Sequence, residues 1–129
     1  MIVVDSSVWI DHLRGTATPQ VSKLRALIGA EALVVGDVIL CEVLLGVPSE
    51  REAETVERAL RRFNVVTMLG VDQAVRAAAL YRTLRGKGIT IRKTIDLIIG
   101  SWCIANGARL LHSDADFTQL ERHAGLVAV

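Results

Sequence analysis

Residues 2–5 read Ile2-Val3-Val4-Asp5, a short β-branched run that ends at an acidic side chain. A similar pattern recurs at Ala108-Arg109-Leu110-Leu111-His112, which is followed by Asp114 and Asp116. Short runs of this kind alternate with longer helical patterns, which is typical of βα units around a parallel sheet. We predict strands at Ile2–Asp5, Leu33–Val35, Asn64–Met68, Arg109–His112 and Leu126–Val129. The expected fold class is α/β, with a central parallel sheet of four to five strands.

Capping signals predict the helices between these strands. Thr18 precedes Pro19, which is favoured at the first helical position, and we expect a helix through Ile28. Ser49 and Glu52 form a capping-box pattern for a helix that runs to about Arg62. Three further helices are expected, one carrying Glu42, one ending near Gly86 and one ending at Asn106-Gly107. Their predicted N-caps are Asp37, Asp72 and Thr94.

Composition predicts one domain over residues 1–129. Of the 129 residues, 51% are hydrophobic, and the formal net charge of +1 promises no strong overall attraction to nucleic acid or membrane. Cys41 and Cys103 lie in apolar segments without a CxxC pair, so we expect buried, reduced thiols in a cytoplasmic protein. No signal-peptide pattern is present, and no apolar run approaches the roughly 20 residues that span a bilayer.

Five acidic residues stand beside or within apolar segments. Asp5 ends the first strand, while Asp114 and Asp116 follow the fourth. Glu42 and Asp96 lie early in predicted helices, within Val38–Leu45 and Ile95–Ile99. The carboxyl ends of parallel strands form the ligand crevice of such sheets, so these side chains can meet at one edge.

A cluster of these acids requires a counter-charge. Two ionised carboxylates about 5 Å apart repel by roughly 3 kcal/mol at an effective dielectric near 20. Protonation or a bound cation relieves this repulsion, and Mg²⁺ and Mn²⁺ prefer carboxylate and water oxygens. Such an ion activates water and neutralises charge in phosphoryl chemistry, so hydrolysis of a phosphodiester needs no histidine or serine nucleophile.

A basic segment precedes Asp96. Between Gln73 and Ile95 there are six basic and no acidic residues, so the rest of the chain carries a net charge of −5. Basic side chains hold nucleic-acid phosphates, which makes Lys87, Arg92 and Lys93 candidate phosphate contacts. The alternative is an ordinary solvated helix face and loop.

Four segments of the chain, in this order, resemble the successive motifs of PIN-domain ribonucleases. Length and motif order are most similar to the VapC toxins of VapBC toxin–antitoxin pairs, and the likeness covers nearly the whole chain. The segments are Val4-Asp5-Ser6-Ser7-Val8, Cys41-Glu42-Val43-Leu44-Leu45-Gly46, Thr94-Ile95-Asp96-Leu97-Ile98-Ile99 and Ser113-Asp114-Ala115-Asp116-Phe117.

The resemblance implies a three-layer α/β/α fold and Mg²⁺- or Mn²⁺-dependent endoribonuclease activity. Asp5, Glu42, Asp96 and Asp114 match the family's acidic quartet, with Asp116 as a frequent fifth acid. Ser7 matches a hydroxyl residue that hydrogen-bonds within the site. The resemblance also implies an RNA substrate such as transfer or ribosomal RNA, a homodimer, and a VapB-type antitoxin whose carboxyl-terminal segment enters the active-site groove.

Other interpretations remain open at this point. Asp5 can be a helix cap, and Asp96, Asp114 and Asp116 can be first-turn acids that favour a helix dipole. An aspartyl phosphatase or receiver domain also uses a strand-end aspartate, but Ser7 stands where the phosphatase needs a second aspartate. The third predicted strand carries no terminal aspartate, as a receiver requires. A module that binds metal and RNA without cleavage would use the same ligands as a nuclease.

Overall fold

The computed structural model describes residues 1–129 and contains one sheet of five parallel strands. The strands are β1 (Ile2–Val4), β2 (Leu33–Gly36), β3 (Asn64–Val66), β4 (Arg109–Leu111) and β5 (Val127–Ala128). They lie in the spatial order β3-β2-β1-β4-β5. All five predicted strands are confirmed, with ends that differ by one or two residues.

Seven helices flank the sheet. They are α1 (Ser6–Arg14), α2 (Pro19–Leu27), α3 (Asp37–Leu45), α4 (Glu50–Leu60), α5 (Val71–Gly86), α6 (Thr94–Asn106) and α7 (Ala115–Ala124). Helices α1 to α4 pack against one another as one group, and α5 to α7 as a second. Right-handed crossovers place these groups on opposite faces, because the chain moves from β1 towards β3 and then returns to β4. The expected α/β/α architecture is confirmed.

Two of the predicted helix caps are confirmed and three are wrong. Thr18 Oγ1 accepts the backbone N–H of Val21, and Ser49 Oγ accepts that of Glu52. The other three caps are Gly36, Gly70 and Lys93, so each predicted residue lies one or two positions inside its helix. Asp37 Oδ1 instead accepts the N–H groups of Val38 and Met68, which ties the start of α3 to the segment after β3.

The core lies between the sheet and both helical layers. The side chains of β1 are fully buried, as a central parallel strand requires. Gly100 permits close packing of α6 on α7, since a Cβ at this position would collide with the Leu120 side chain. Cys103 is buried and free, whereas Cys41 is free but exposed on α3, so the expectation of two buried thiols is wrong for Cys41. None of the helices has the length and apolar character that crossing a membrane would need.

The strand order reverses between β1 and β4. Chain connections lead from β1 to β2 on one side and from β4 to β5 on the other. Val4 pairs with Leu111, and the backbone N–H of Asp5 donates to the Leu111 carbonyl over 3.0 Å. The carboxyl ends of these two strands therefore leave a crevice at the topological switch point, where α/β sheets bind their ligands.

Candidate metal centre

Asp5 projects from the end of β1 into this crevice. It occupies the N-cap position of α1, but its side chain caps no backbone group. Its Oδ2 oxygen instead accepts the Ser7 hydroxyl over 2.6 Å, and the residue is only 4% exposed. Burial raises the pKa of Asp5, and the Ser7 hydrogen bond offsets only part of that effect. Asp5 therefore has an environment unlike that of a simple helix cap.

Asp96 is the acid of the site whose pKa is raised furthest. It lies in the first turn of α6, is 5% exposed, and its Oδ2 oxygen is buried without a hydrogen-bond partner. Burial raises the pKa of Asp96 to about 7, with further contributions from the negative charges of Asp114 and Asp5. A buried carboxylate oxygen without a partner is costly, and a cation would supply the missing interaction.

Asp114 is the N-cap of α7 and faces Asp96. Its Oδ1 oxygen accepts the backbone N–H of Asp116 over 2.9 Å, and its Oδ2 oxygen accepts the Lys93 ammonium over 2.6 Å. Burial favours the neutral acid, but the hydrogen bonds from Lys93 and from the backbone of Asp116 outweigh it and lower the pKa of Asp114. Asp114 thus caps a helix and keeps an ionised oxygen directed into the centre.

Asp116 completes a cluster of three carboxylates. One oxygen each of Asp96, Asp114 and Asp116 lies within 4.8 Å of the others. Asp116 is 6% exposed, and its two oxygens accept the backbone N–H groups of Arg92 at 3.2 Å and Lys93 at 3.0 Å. Asp116 therefore also anchors the segment that leads into α6.

Glu42 approaches the cluster from the opposite helical layer. It lies on α3 and is half-buried, and its Oε1 oxygen accepts the Ser6 hydroxyl over 3.0 Å. Burial raises the pKa of Glu42 more than the Ser6 hydrogen bond lowers it, and the charge of Asp5 raises it further. Sequence analysis left Ser6 out of the site, although its position beside Asp5 was the available signal.

The predicted phosphate contacts differ in their placement. Lys93 directs its ammonium into the acids, 2.6 Å from Asp114 Oδ2 and 3.7 Å from Asp96 Oδ2, and the Asp114 hydrogen bond raises its pKa. Arg92 and Lys93 line a cavity of about 320 Å³ beside Asp114 and Asp116. Lys87 lies at the exposed end of α5, outside this lining.

The donor set fits a hard divalent cation. The three clustered carboxylates offer oxygen ligands, and no cysteine or histidine belongs to the cluster. Asp5 and Glu42 are not among the three. Mg²⁺ and Mn²⁺ prefer such ligands, whereas zinc sites usually contain nitrogen or sulfur. The buried Oδ2 oxygen of Asp96, which accepts no hydrogen bond, is the local observation that supports this fit.

Comparison with known proteins agrees with this architecture. The sequence model of the PIN-domain family matches residues 2–123. The chain belongs to the PIN-domain family. Ribonuclease VapC11 of Mycobacterium tuberculosis is 34% identical over 133 residues, which cover 99% of this chain and 97% of the relative. A VapC ribonuclease of Mycobacterium bovis matches to the same extent.

Solved structures share the fold. VapBC2 of Rickettsia felis, bound to a DNA fragment of its promoter, superposes with a TM-score of 0.78 at 18% identity, covering 100% of this chain and 98% of that one. FitAcB of Neisseria gonorrhoeae gives a TM-score of 0.75 at 18% identity, covering 100% and 97%. VapC20 of Mycobacterium tuberculosis, described as a toxin that cleaves the sarcin–ricin loop, gives 0.70 at 19% identity, covering 100% and 98%.

Proposed function

We propose that this protein is a metal-dependent endoribonuclease toxin that hydrolyses RNA phosphodiester bonds and is neutralised by a VapB-type antitoxin. The observation that carries the proposal is the buried Oδ2 oxygen of Asp96, which accepts no hydrogen bond, in a cluster with Asp114 and Asp116 at the switch point of the sheet. Full-length relatives named VapC ribonuclease support the choice of RNA cleavage over other phosphoryl chemistry.

Asp5, Asp96, Asp114 and Asp116 are the proposed ligands of Mg²⁺ or Mn²⁺. When bound, such an ion lowers the pKa of a coordinated water and stabilises the charge that develops on the reacting phosphate. The Ser7 hydroxyl holds Asp5 Oδ2 in place, so this carboxylate does not need to reorganise when it binds. Asp116 has two proposed roles. It is a candidate metal ligand, and it holds the segment before α6 by accepting the backbone N–H groups of residues 92 and 93.

Glu42 is the proposed proton acceptor. Ser6 donates to its Oε1 oxygen, while no hydrogen bond to protein occupies Oε2. Burial raises the pKa of Glu42, which makes its carboxylate a better base at neutral pH. Glu42 Oε2 would take the proton of the attacking water. This oxygen lies on the side of the metal centre where Asp5 and Ser6 are found.

Lys87, Arg92 and Lys93 are the proposed contacts to RNA phosphates. The cavity beside Asp114 and Asp116 is lined by Arg92 and Lys93, so a phosphate held there lies next to the carboxylates. Lys87 is exposed at the end of α5, outside the lining of this cavity, and would contact a phosphate farther from the carboxylates. Transfer RNA or ribosomal RNA is the proposed substrate, because specific recognition of RNA generally targets unstacked single-stranded loops.

Turnover of a defined RNA tests this function. Purified protein is expected to cleave the RNA with Mg²⁺ or Mn²⁺ and to lose activity in EDTA, and Asp5→Asn is expected to be inactive with an unchanged circular dichroism spectrum. Asp72→Asn, on the exposed start of α5, is the matched control. Full activity in EDTA would refute the metal mechanism. RNA binding without product would instead identify a binding module.

A groove beside the centre is the proposed contact surface for the antitoxin. Residues of α1, α3 and α4 line an apolar groove of about 140 Å³ with Arg14 and Glu52 at its rim. Ile10 and Gly46 belong to this lining and lie one helical turn beyond Ser6 and Glu42. We therefore propose that an apolar antitoxin segment follows this groove into the site. Leu13→Asp, at a lining residue that is 43% exposed, should abolish capture by the cognate antitoxin, whereas Val75→Asp on exposed α5 should not.

A homodimer in the cytoplasm is the proposed working state. Val71 and Val75, one helical turn apart on α5, are 83% and 64% exposed, and adjacent exposed apolar side chains can form part of an interface between subunits. Static light scattering should give twice the mass of the 14.0 kDa chain. A monomer at micromolar concentration would contradict this part of the proposal. The free thiols Cys41 and Cys103 agree with a reducing compartment.

A further inference from the structure

We propose that His112 is a positioning residue, which holds Asp114 so that its Oδ2 oxygen faces the metal centre. The inference deepens the proposed function and rests on it. The contacts of His112 arise only in the folded protein.

His112 connects the end of β4 to both ends of α7. Its Nδ1 atom accepts the backbone N–H of Asp114 over 3.1 Å, and its Nε2 atom lies 2.8 Å from Glu121 Oε2. The side chain is 5% exposed, and its ring lies 5.0 Å from that of Phe117 at an angle of 56°. The imidazole is therefore held by one acceptor, one donor and a buried aromatic neighbour.

These two hydrogen bonds define one tautomer. A backbone N–H can only donate, so Nδ1 carries a lone pair and no proton. The proton of the neutral ring is on Nε2, from which it donates to the Glu121 carboxylate. Glu121 thus selects the tautomer whose other nitrogen accepts from Asp114. This arrangement is typical of residues that orient a metal ligand without touching the metal.

The remaining polar atoms of Asp114 show why this contact matters. The Asp114 carbonyl oxygen accepts two hydrogen bonds from Thr118, one from the backbone N–H at 3.2 Å and one from the side-chain hydroxyl at 3.3 Å. Its Oδ1 oxygen accepts the N–H of Asp116. The backbone N–H of Asp114 donates to His112, so Oδ2 is the only polar atom of Asp114 without a contact to α7 or to the loop before it. This oxygen accepts the Lys93 ammonium in the acidic centre. Loss of the His112 contact would loosen the one residue that both begins α7 and supplies this oxygen.

Two substitutions separate the two nitrogens. In His112→Asn the amide oxygen takes the place of Nδ1 and still accepts from Asp114, but the contact to Glu121 is lost. In His112→Gln the amide nitrogen takes the place of Nε2 and still donates to Glu121, but the acceptor for Asp114 is lost. His123→Gln, at an exposed histidine on α7, is the matched control.

Mn²⁺ affinity, measured by calorimetry, is the first readout. We expect His112→Gln to weaken Mn²⁺ binding about tenfold or more, while His112→Asn stays within about threefold of the unmodified protein. The control should be unchanged. Thermal melting in EDTA should give similar midpoints for the two His112 variants, so a fold defect common to both cannot explain the difference.

The tautomer itself is the second readout. Nitrogen NMR of the unmodified protein should show a protonated Nε2 and an unprotonated Nδ1 for His112, and the opposite tautomer would overturn the inference even where a variant does not fold. Equal Mn²⁺ affinity of the Asn and Gln variants would also overturn it. If the unmodified protein bound no Mn²⁺ and cleaved no RNA, the proposed function would fail as well. If the unmodified protein bound Mn²⁺ and cleaved RNA while the two His112 variants had equal Mn²⁺ affinity, only the proposed role of His112 would fail.

Discussion

The Lys93 ammonium lies 3.7 Å from Asp96 Oδ2, the only buried carboxylate oxygen of the protein that has no hydrogen bond. The same ammonium donates to Asp114 over 2.6 Å. A side chain of the protein thus supplies part of the positive charge that the acidic cluster requires. Because the Lys93 side chain is 64% exposed, solvent screens this interaction and a divalent ion can compete with it.

Lys93→Met should strengthen the binding of Mn²⁺. The substitution removes a cation that competes for Asp114 Oδ2, and we expect an affinity gain of about threefold to tenfold by calorimetry at low ionic strength, which corresponds to about 1 kcal/mol. Lys87→Met, at the exposed end of α5, should leave the affinity unchanged. A weaker affinity in Lys93→Met would mean that the ammonium organises the carboxylates instead of competing for them.

The metal-free protein should become less stable as the pH rises from about 4 to about 7. The pKa of Asp96 is raised from 3.8 to about 7 in the folded protein, so folding favours its protonated form. Its contribution to stability is fully present below the unfolded pKa and is lost as pH rises through the folded pKa. The raised pKa values of Asp5 and Glu42 act in the same direction. Asp114, with a lowered pKa, acts oppositely and at lower pH.

Thermal melting in EDTA across this range measures the effect. Asp96→Asn should reduce the loss of stability with rising pH, because the titrating group with the largest shift is gone. Addition of Mg²⁺ should raise the melting midpoint of the unmodified protein most at the alkaline end, and should not raise that of Asp96→Asn. A midpoint that rises steadily from pH 4 to 7 in EDTA would contradict the assignment.

Asp116→Asn should destabilise the fold as well as weaken metal binding. Both oxygens of Asp116 accept backbone N–H groups, at Arg92 and Lys93, and an amide nitrogen cannot replace one of these acceptors. We expect the free energy of unfolding in urea to fall by about 1–3 kcal/mol. Asp5→Asn affects only contacts to the neighbouring Ser6 and Ser7, so it should change the free energy of unfolding less. Equal stability of the two variants would indicate that Asp116 acts only at the metal.

Ser7→Ala should reduce RNA cleavage while leaving the fold unchanged. Ser7 is exposed, but its hydroxyl donates to Asp5 Oδ2 over 2.6 Å. Loss of this bond to a charged group is expected to cost about 1.4 kcal/mol, or about tenfold in kcat/KM. The pKa of Asp5 would rise further, so the pH optimum should move upwards. Ser7→Thr retains the hydroxyl and should recover most of the activity, and failure to do so would contradict this role.

Structural features that depend only on residues close in sequence were predicted well. Short apolar runs predicted all five strands, and the caps at Thr18 and Ser49 were confirmed because each needs only a side chain and an N–H three residues away. Asp37, Asp72 and Thr94 were misplaced because glycine or lysine just before them adopts the extended backbone of the cap. The hydrogen-bonding ability of a side chain alone does not determine which residue becomes the N-cap.

The sequence by itself determined the alternating α/β architecture and the acids that follow β1 and β4, since strand propensity and helix capping act over a few residues. Only the tertiary structure decided how distant groups meet. Ser6 reaches Glu42 across 36 positions, Asp116 bonds the backbone of residues 92 and 93, and Lys93 lies among the carboxylates. Such contacts depend on the strand order and on how closely helices pack, as at Gly100, because a polar atom finds its partner only after the core has brought the two elements together.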